Sequence, residues 1–99
     1  MSILAKVENA HYLKIEGSLD ALAVEILRPR FDTLVQEEHD VTIDMSEINF
    51  IDSSGIGAIV FLFKRLRALG RKLCLNGVHG QPLELLKHLR IDQSIQVNE

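Results

Sequence analysis

The side chains of this sequence that could do chemistry gather in one short segment, Asp52-Ser53-Ser54-Gly55-Ile56-Gly57, with Asp20 as an outlying carboxylate. The segment follows Ile48-Asn49-Phe50-Ile51, so an acid and two hydroxyls stand where a strand ends and an apolar helix begins. In the simplest reading they are caps that accept hydrogen bonds from the free N–H groups of the first helical turn. The same helix end carries partial positive charge and tolerates an anion. A phosphate on Ser53, or as second choice on Ser54, could therefore be held without unfolding the domain. It would add about −1.5 to −2 charges at pH 7. Asp52 would repel it and offset part of that gain. The larger effect should fall on a docking partner, which would have to desolvate the phosphate.

Other chemistries fail on spacing. Gly55-Ile56-Gly57 opens a G-x-G, but Val60 stands where the dinucleotide fingerprint needs its third glycine. Neither serine has the two flanking glycines of a nucleophile elbow, and no phosphate-binding P-loop is present. His11, His39, His79 and His88 are too scattered for a zinc set, and no cofactor is implied. Lys64, Arg65, Arg67, Arg71 and Lys72 form a basic cluster, which reads as favourable charge at a helix C-terminus on a solvated face. The whole chain carries a net charge of −3, so nucleic acid and anionic lipid are not expected partners.

The elements that must position the segment read as strand, strand, helix, strand, helix, strand, helix, strand. Ile3 to Val7 and Tyr12 to Ile15 suggest an antiparallel pair joined around Glu8-Asn9-Ala10-His11. Gly17-Ser18-Leu19-Asp20 breaks that pattern, and Asp20 can cap the next helix. Ala21 to Val35 has helical spacing at Leu22, Ile26, Leu27, Phe31, Leu34 and Val35, with a disturbance expected at Pro29. Val41 to Met45 is a strand. Ser53 to Leu69 is a helix with Ile56, Ile59, Val60, Phe63 and Leu66 on one face, stopped by Gly70. Lys72 to Asn76 reads as a strand buried on both faces, with Cys74 as a small buried hydrophobe. Pro82 to Leu89 is a third helix and Ile95 to Val97 a last strand. Strands alternating with helices imply an α/β layer with parallel pairing and right-handed crossovers.

Ninety-nine residues, 46% hydrophobic and 25% charged, make one ordinary domain, taken as residues 1–99, rather than a disordered or disulfide-built chain. The single cysteine cannot form an internal disulfide, which fits a reducing compartment. No secretory leader is visible, and the densest apolar run, Ile56 to Phe63, is too short to cross a bilayer, so a cytoplasmic protein without membrane insertion is expected.

The Asp-Ser-Ser-Gly-Ile-Gly run, between a hydrophobic strand and an apolar helix, resembles the STAS domain of bacterial anti-sigma factor antagonists. Gly17-Ser18-Leu19-Asp20 resembles that family's earlier Gly-x-Leu-Asp turn. Gly70-Arg71-Lys72-Leu73 resembles its return into the next strand, and Leu85 to Ile91 its helix before the last strand. The resemblance implies a single mixed sheet of about four to five strands with helices packed on it. It implies a binding module, not an enzyme: unphosphorylated, the module binds an anti-sigma factor that is also a serine kinase of GHKL type. Phosphorylation at Ser53 releases that partner, and a PP2C-type phosphatase restores binding. By the same resemblance Asp20 lies near the partner's nucleotide, Asp52 orients the acceptor serine, and Ser54, Gly55, Ile56 and Gly57 complete the contact surface. Three departures stand out. Ser18 replaces a residue that is often Glu, Pro29 interrupts the first helix, and the sequence stops at Glu99 where a further helix is usual. A truncated C-terminal helix would leave apolar surface for a second copy to cover, as in a homodimer. Two alternatives stay open. One is a scaffold or subunit role in a lipid-transport or stressosome-like complex, with Ser53 only a cap. The other is a small hydrolase using Asp20 and Asp52.

Overall fold

A computed structural model describes residues 5–9 and 12–99, with the side chains from residue 12 onward. Five strands form one sheet in the order β1-β2-β3-β4-β5: β1 (Ala5–Asn9), β2 (Tyr12–Leu19), β3 (Val41–Ile51), β4 (Leu73–Asn76) and β5 (Gln96–Val97). β1 runs antiparallel to β2, and every later pairing is parallel. The crossovers are α1 (Ala21–Gln36), α2 (Ser53–Ala68) and α3 (Gly80–His88), the last followed by a 3-10 turn at Ile91–Gln93. This is the mixed α/β sheet that the alternation of elements leads one to expect. Ile3, Leu4, Ala10 and His11, which the sequence assigns to the first strand and its turn, lie outside the described residues.

The sheet is covered on one face. Leu13, Ile15, Val41, Ile43, Met45, Leu73 and Leu75 are buried, in one cluster with Ala23, Leu27, Phe31, Leu34, Ile59, Leu62, Leu66 and Leu86 from the helices. The alternate residues Tyr12, Lys14, Glu16, Thr42, Asp44, Cys74 and Asn76 are only half-buried. Period-two alternation puts these on the opposite face, which no helix covers among the described residues. β4 is thus not buried on both faces. Cys74 sits on the polar side, where its Sγ accepts from Asn98 Nδ2 at 3.2 Å and donates to Asn76 Oδ1 at 3.1 Å. Partial burial raises the pKa of this thiol, which keeps it protonated and poorly nucleophilic.

Several boundaries move outward from the sequence expectation. β2 continues through Gly17, Ser18 and Leu19, and β3 through Ser46 to Ile51, because each finds its partner in the other. Lys14 and Glu16 pair with Asp44 and Glu47, and Gly17 and Ser18 pair with Ile48 and Phe50. Each step leaves one extra residue on β3. Such bulges disrupt the local pairing and hide the strand from a simple alternation test. Gly17, at φ +98°, absorbs the irregularity on the β2 side.

α1 runs unbroken through Pro29, against the expected disturbance. Pro29 is exposed, and so is Glu25, whose carbonyl loses its i+4 donor to the proline ring. Water can meet that carbonyl, and Thr33 Oγ1 donates to the Pro29 carbonyl at 3.0 Å one turn on. The buried stripe of α1 is Ala23, Leu27, Phe31 and Leu34, whereas Leu22 and Ile26 are 59% and 54% exposed. At about 100° per residue, Leu22 lies roughly 140° from Leu27, so the two cannot face one core. In α2, Ile59 and Leu66 are buried as expected. Leu62 and Gly55 complete the stripe, while Ile56, Val60 and Phe63 are half-buried.

Pro29→Ala should restore one helical hydrogen bond on an exposed face, at the loss of some rigidity in the unfolded chain. The net expected gain is about 2 kcal/mol in urea unfolding. Asp44 supplies a pH test. Burial alone would raise its pKa. The Ser46 backbone N–H (2.9 Å) and hydroxyl, the Tyr12 hydroxyl (2.8 Å) and the charge of Lys14 outweigh that and hold it below the usual carboxylate value. A lowered folded pKa contributes stability that is complete above the unfolded value, about pH 4, and is lost as pH falls through the folded value. Wild type and Asp44→Asn should therefore differ in stability at neutral pH and converge in acid.

Candidate phosphoacceptor site and partner surface

The parallel pairing of β2 with β3 brings two helix starts side by side, because Leu19 and Ile51 are partners in register. Asp20 caps α1: its Oδ1 accepts from Ala23 N–H at 3.0 Å. Asp52 caps α2 in the same way, accepting from Gly55 N–H at 3.0 Å. Both caps are extended at φ −114° and −109°. The remaining first-turn N–H groups of both helices have no intrahelical acceptor. Two positive helix ends and two carboxylates thus share one end of the sheet.

The two starts are locked by backbone contact. Asp52 N–H donates to the Leu19 carbonyl at 3.3 Å. Gly55 is buried against the same carbonyl: a Cβ there would lie 2.3 Å from Leu19 O and 2.6 Å from Ile51 Cγ1. Only glycine allows this approach. Gly57, two residues on, is exposed with nothing within 4 Å of its Cβ position.

Ser53 is exposed at the first position of α2, and Ser54 is half-buried. Neither hydroxyl hydrogen-bonds to another described residue. The Asp52 carboxylate engages the Gly55 backbone and so positions the segment as a whole. Ile56 is half-buried beside the core. All seven residues singled out in the sequence, Asp20, Asp52, Ser53, Ser54, Gly55, Ile56 and Gly57, therefore belong to two adjacent helix starts.

Sequence reasoning missed Gln81. From α3, its Oε1 accepts from Ile51 N–H and its Nε2 donates to the Ile51 carbonyl, both at 2.9 Å. The side-chain amide takes the place of a neighbouring strand for the last residue before the site. A glutamine near a helix start carries no such signal in a sequence. Also missed was a groove of about 880 Å³ between α1 and α2, lined by Leu22, Val24, Phe61 and Leu62 and reaching Ser54 and Gly57 at one end. Arg65 crosses it to Asp32 at 2.7 Å and lies 5.3 Å over the Phe61 ring. That ion pair is partly exposed and worth at most about 1 kcal/mol. Among the described residues no cluster of potential metal ligands occurs, and no helix is long and apolar enough to cross a membrane.

The chain belongs to the STAS domain family, whose model matches residues 2–99. It is 27% identical over 78 residues to the anti-sigma-B factor antagonist of Bacillus subtilis, covering 79% of this chain and 72% of that one. Its fold is similar to that of the anti-sigma factor antagonist SpoIIAA in its unphosphorylated form, with a TM-score of 0.72 at 19% identity over 99% of this chain and 87% of the other. It is also similar to the Bacillus cell fate determinant SpoIIAA in the phosphorylated form, with a TM-score of 0.73 at 18% identity over 97% and 90%.

The two glycines separate the roles of contact and freedom. Gly55→Ala should destabilise the fold by about 2–3 kcal/mol, because backbone cannot move aside as a side chain would. Gly57→Ala, in open space on a helix, should stabilise it by about 0.5–1 kcal/mol. Urea denaturation of the two variants checks both signs.

Proposed function

We propose that this chain is an anti-sigma factor antagonist, a binding module controlled by phosphorylation of Ser53. The observation that carries the reading is an exposed serine hydroxyl, without a partner among the described residues, at the first turn of a helix whose start is fixed by the Gly55–Leu19 contact. A protein kinase needs such an acceptor. A partner surface needs it to sit on rigid backbone. The names of the relatives supply the partner class, and the half-buried position of Ser54 favours Ser53 as the acceptor.

In the unmodified state, the ends of α1 and α2 around Asp20, Asp52, Ser53, Ser54, Gly55, Ile56 and Gly57 dock onto an anti-sigma factor. Resemblance to the family makes that partner a serine kinase of GHKL type. Transfer moves the γ-phosphoryl group of ATP to Ser53 Oγ, while the hydroxyl proton passes to a base on the kinase and ADP leaves. The new ester adds about −1.5 to −2 charges beside Asp52 and Asp20. Free N–H groups and the helix dipole tolerate this charge, so the fold survives. The partner must instead desolvate a phosphate and meet three negative groups where there were two, and the complex dissociates. A PP2C-type phosphatase hydrolyses the ester, releases inorganic phosphate and restores the hydroxyl.

Titration calorimetry with the cognate anti-sigma factor tests the switch. Ser53→Ala should fold normally and bind whether or not ATP is present. Ser53→Asp and Ser53→Glu should bind at least about tenfold more weakly, which is about 1.4 kcal/mol. Equal affinities for all variants would reject the mechanism. Fragment mass spectrometry after incubation with kinase and ATP should place the added phosphate on Ser53, not Ser54.

A further inference from the structure

The pairing of β3 with β4 stops at Asp44 with Asn76, yet β3 runs on to Ile51. Ile51 is fully buried, so its N–H and C=O cannot turn to water. Gln81 meets both at 2.9 Å. A side-chain amide offers a donor and an acceptor together, as the peptide group of a neighbouring strand would. The amide stands on a firm base. Pro82 and Leu86 of α3 are buried, and His79 Nε2 bonds to the Ser46 carbonyl of the same strand at 2.8 Å.

Ile51 stands two residues before Ser53 and sets where α2 begins. Asp52 N–H donates to the Leu19 carbonyl at 3.3 Å, so the chain is gripped by β2 on one side and by α3 on the other. The Ile51 side chain is also part of the seat of α2, since a Cβ on Gly55 would lie 2.6 Å from Ile51 Cγ1. Ser53 and Ser54 lie between these two fixed points. They differ by about 100° around the helix. Ser53 is exposed, whereas Ser54 is half-buried at one end of the groove between α1 and α2. The rotation of this one turn decides which hydroxyl faces outward. Without the Gln81 amide, a buried donor and a buried acceptor at Ile51 would lose their partners, which is costly. They regain partners by lifting toward water, and Asp52 and the first turn of α2 move with them.

We propose that Gln81 is a positioning residue for the phosphoacceptor: by holding both polar groups of Ile51, it fixes the first turn of α2 so that Ser53, not Ser54, meets the γ-phosphoryl group of ATP. This rests on the reading of Ser53 as the acceptor and adds the contact that selects between the two serines.

Two variants of the full chain test it. Gln81→Leu removes both bonds at similar volume. Gln81→Glu keeps an acceptor for the Ile51 N–H and loses the donor to the Ile51 carbonyl. Amide hydrogen exchange in the free protein, followed by NMR, compares Ile51, Gly55 and Ile56 with Ile43 in the middle of β3. In Gln81→Leu the first three should exchange about tenfold faster while Ile43 changes far less. Gln81→Glu should fall between Gln81→Leu and wild type. With the cognate anti-sigma factor kinase and ATP, wild type should carry phosphate on Ser53 alone. Gln81→Leu should react about tenfold more slowly at saturating concentration, with its product divided between Ser53 and Ser54. A merely structural role would speed exchange at Ile43 and Ile51 alike and leave the phosphate on Ser53, and that result would overturn the proposal. So would a Gln81→Leu rate and product equal to those of wild type. A wild-type chain that gains no phosphate on Ser53 would instead sink the acceptor reading, and this proposal with it.

Discussion

Everything at the candidate switch depends on one close contact, the approach of Gly55 to the carbonyl of Leu19. It joins the end of β2 to the first turn of α2 without an intervening side chain. Because backbone has few soft degrees of freedom, the contact fixes the height and direction of the helix start. The Asp52 cap then acts on a turn already in place. The result is a serine whose exposure is a property of the backbone, not of a mobile loop. A covalent charge added there can alter a surface without altering the fold beneath it.

The architecture follows from one covered sheet face. β2, β3 and β4 alternate buried aliphatic residues with polar ones, and the helices complete the core from the buried side. On the other face Tyr12, Asp44 and Ser46 form one hydrogen-bonded group, and Cys74, Asn76 and Asn98 form another. Short polar networks satisfy side chains that a second helical layer would have had to bury. Among the described residues the buried apolar side chains form a single cluster.

Much of this was legible in the residues. Asp20, Asp52 and Gly70 announced two helix starts and one stop through local capping chemistry, which acts over three or four residues and needs no distant partner. The alternation of elements gave the parallel sheet. What stayed hidden depends on distant neighbours. Ser46 to Ile51 became strand only because bulges let β3 keep pace with β2. The apolar row Leu73-Cys74-Leu75 looked doubly buried, since cysteine is apolar enough to mimic a core residue while hydrogen-bonding to asparagines. Pro29 looked like an interruption because nothing local says that its face of α1 is turned to water. The Gln81 contact with Ile51 spans thirty positions in the chain and leaves no local pattern.

That contact has a wider meaning. β3 outruns β4, whose pairing ends at Asp44 with Asn76, so its later residues lack a strand on that side. His79 Nε2–H donates to the Ser46 carbonyl at 2.8 Å, Gly77 packs against Ser46, and Gln81 takes both polar groups of Ile51. An unprotected stretch of this kind is a template for pairing with another molecule. α3 and the turn before it are therefore a guard as well as a crossover, and their partial detachment would turn this covered seam into a nucleus for self-association.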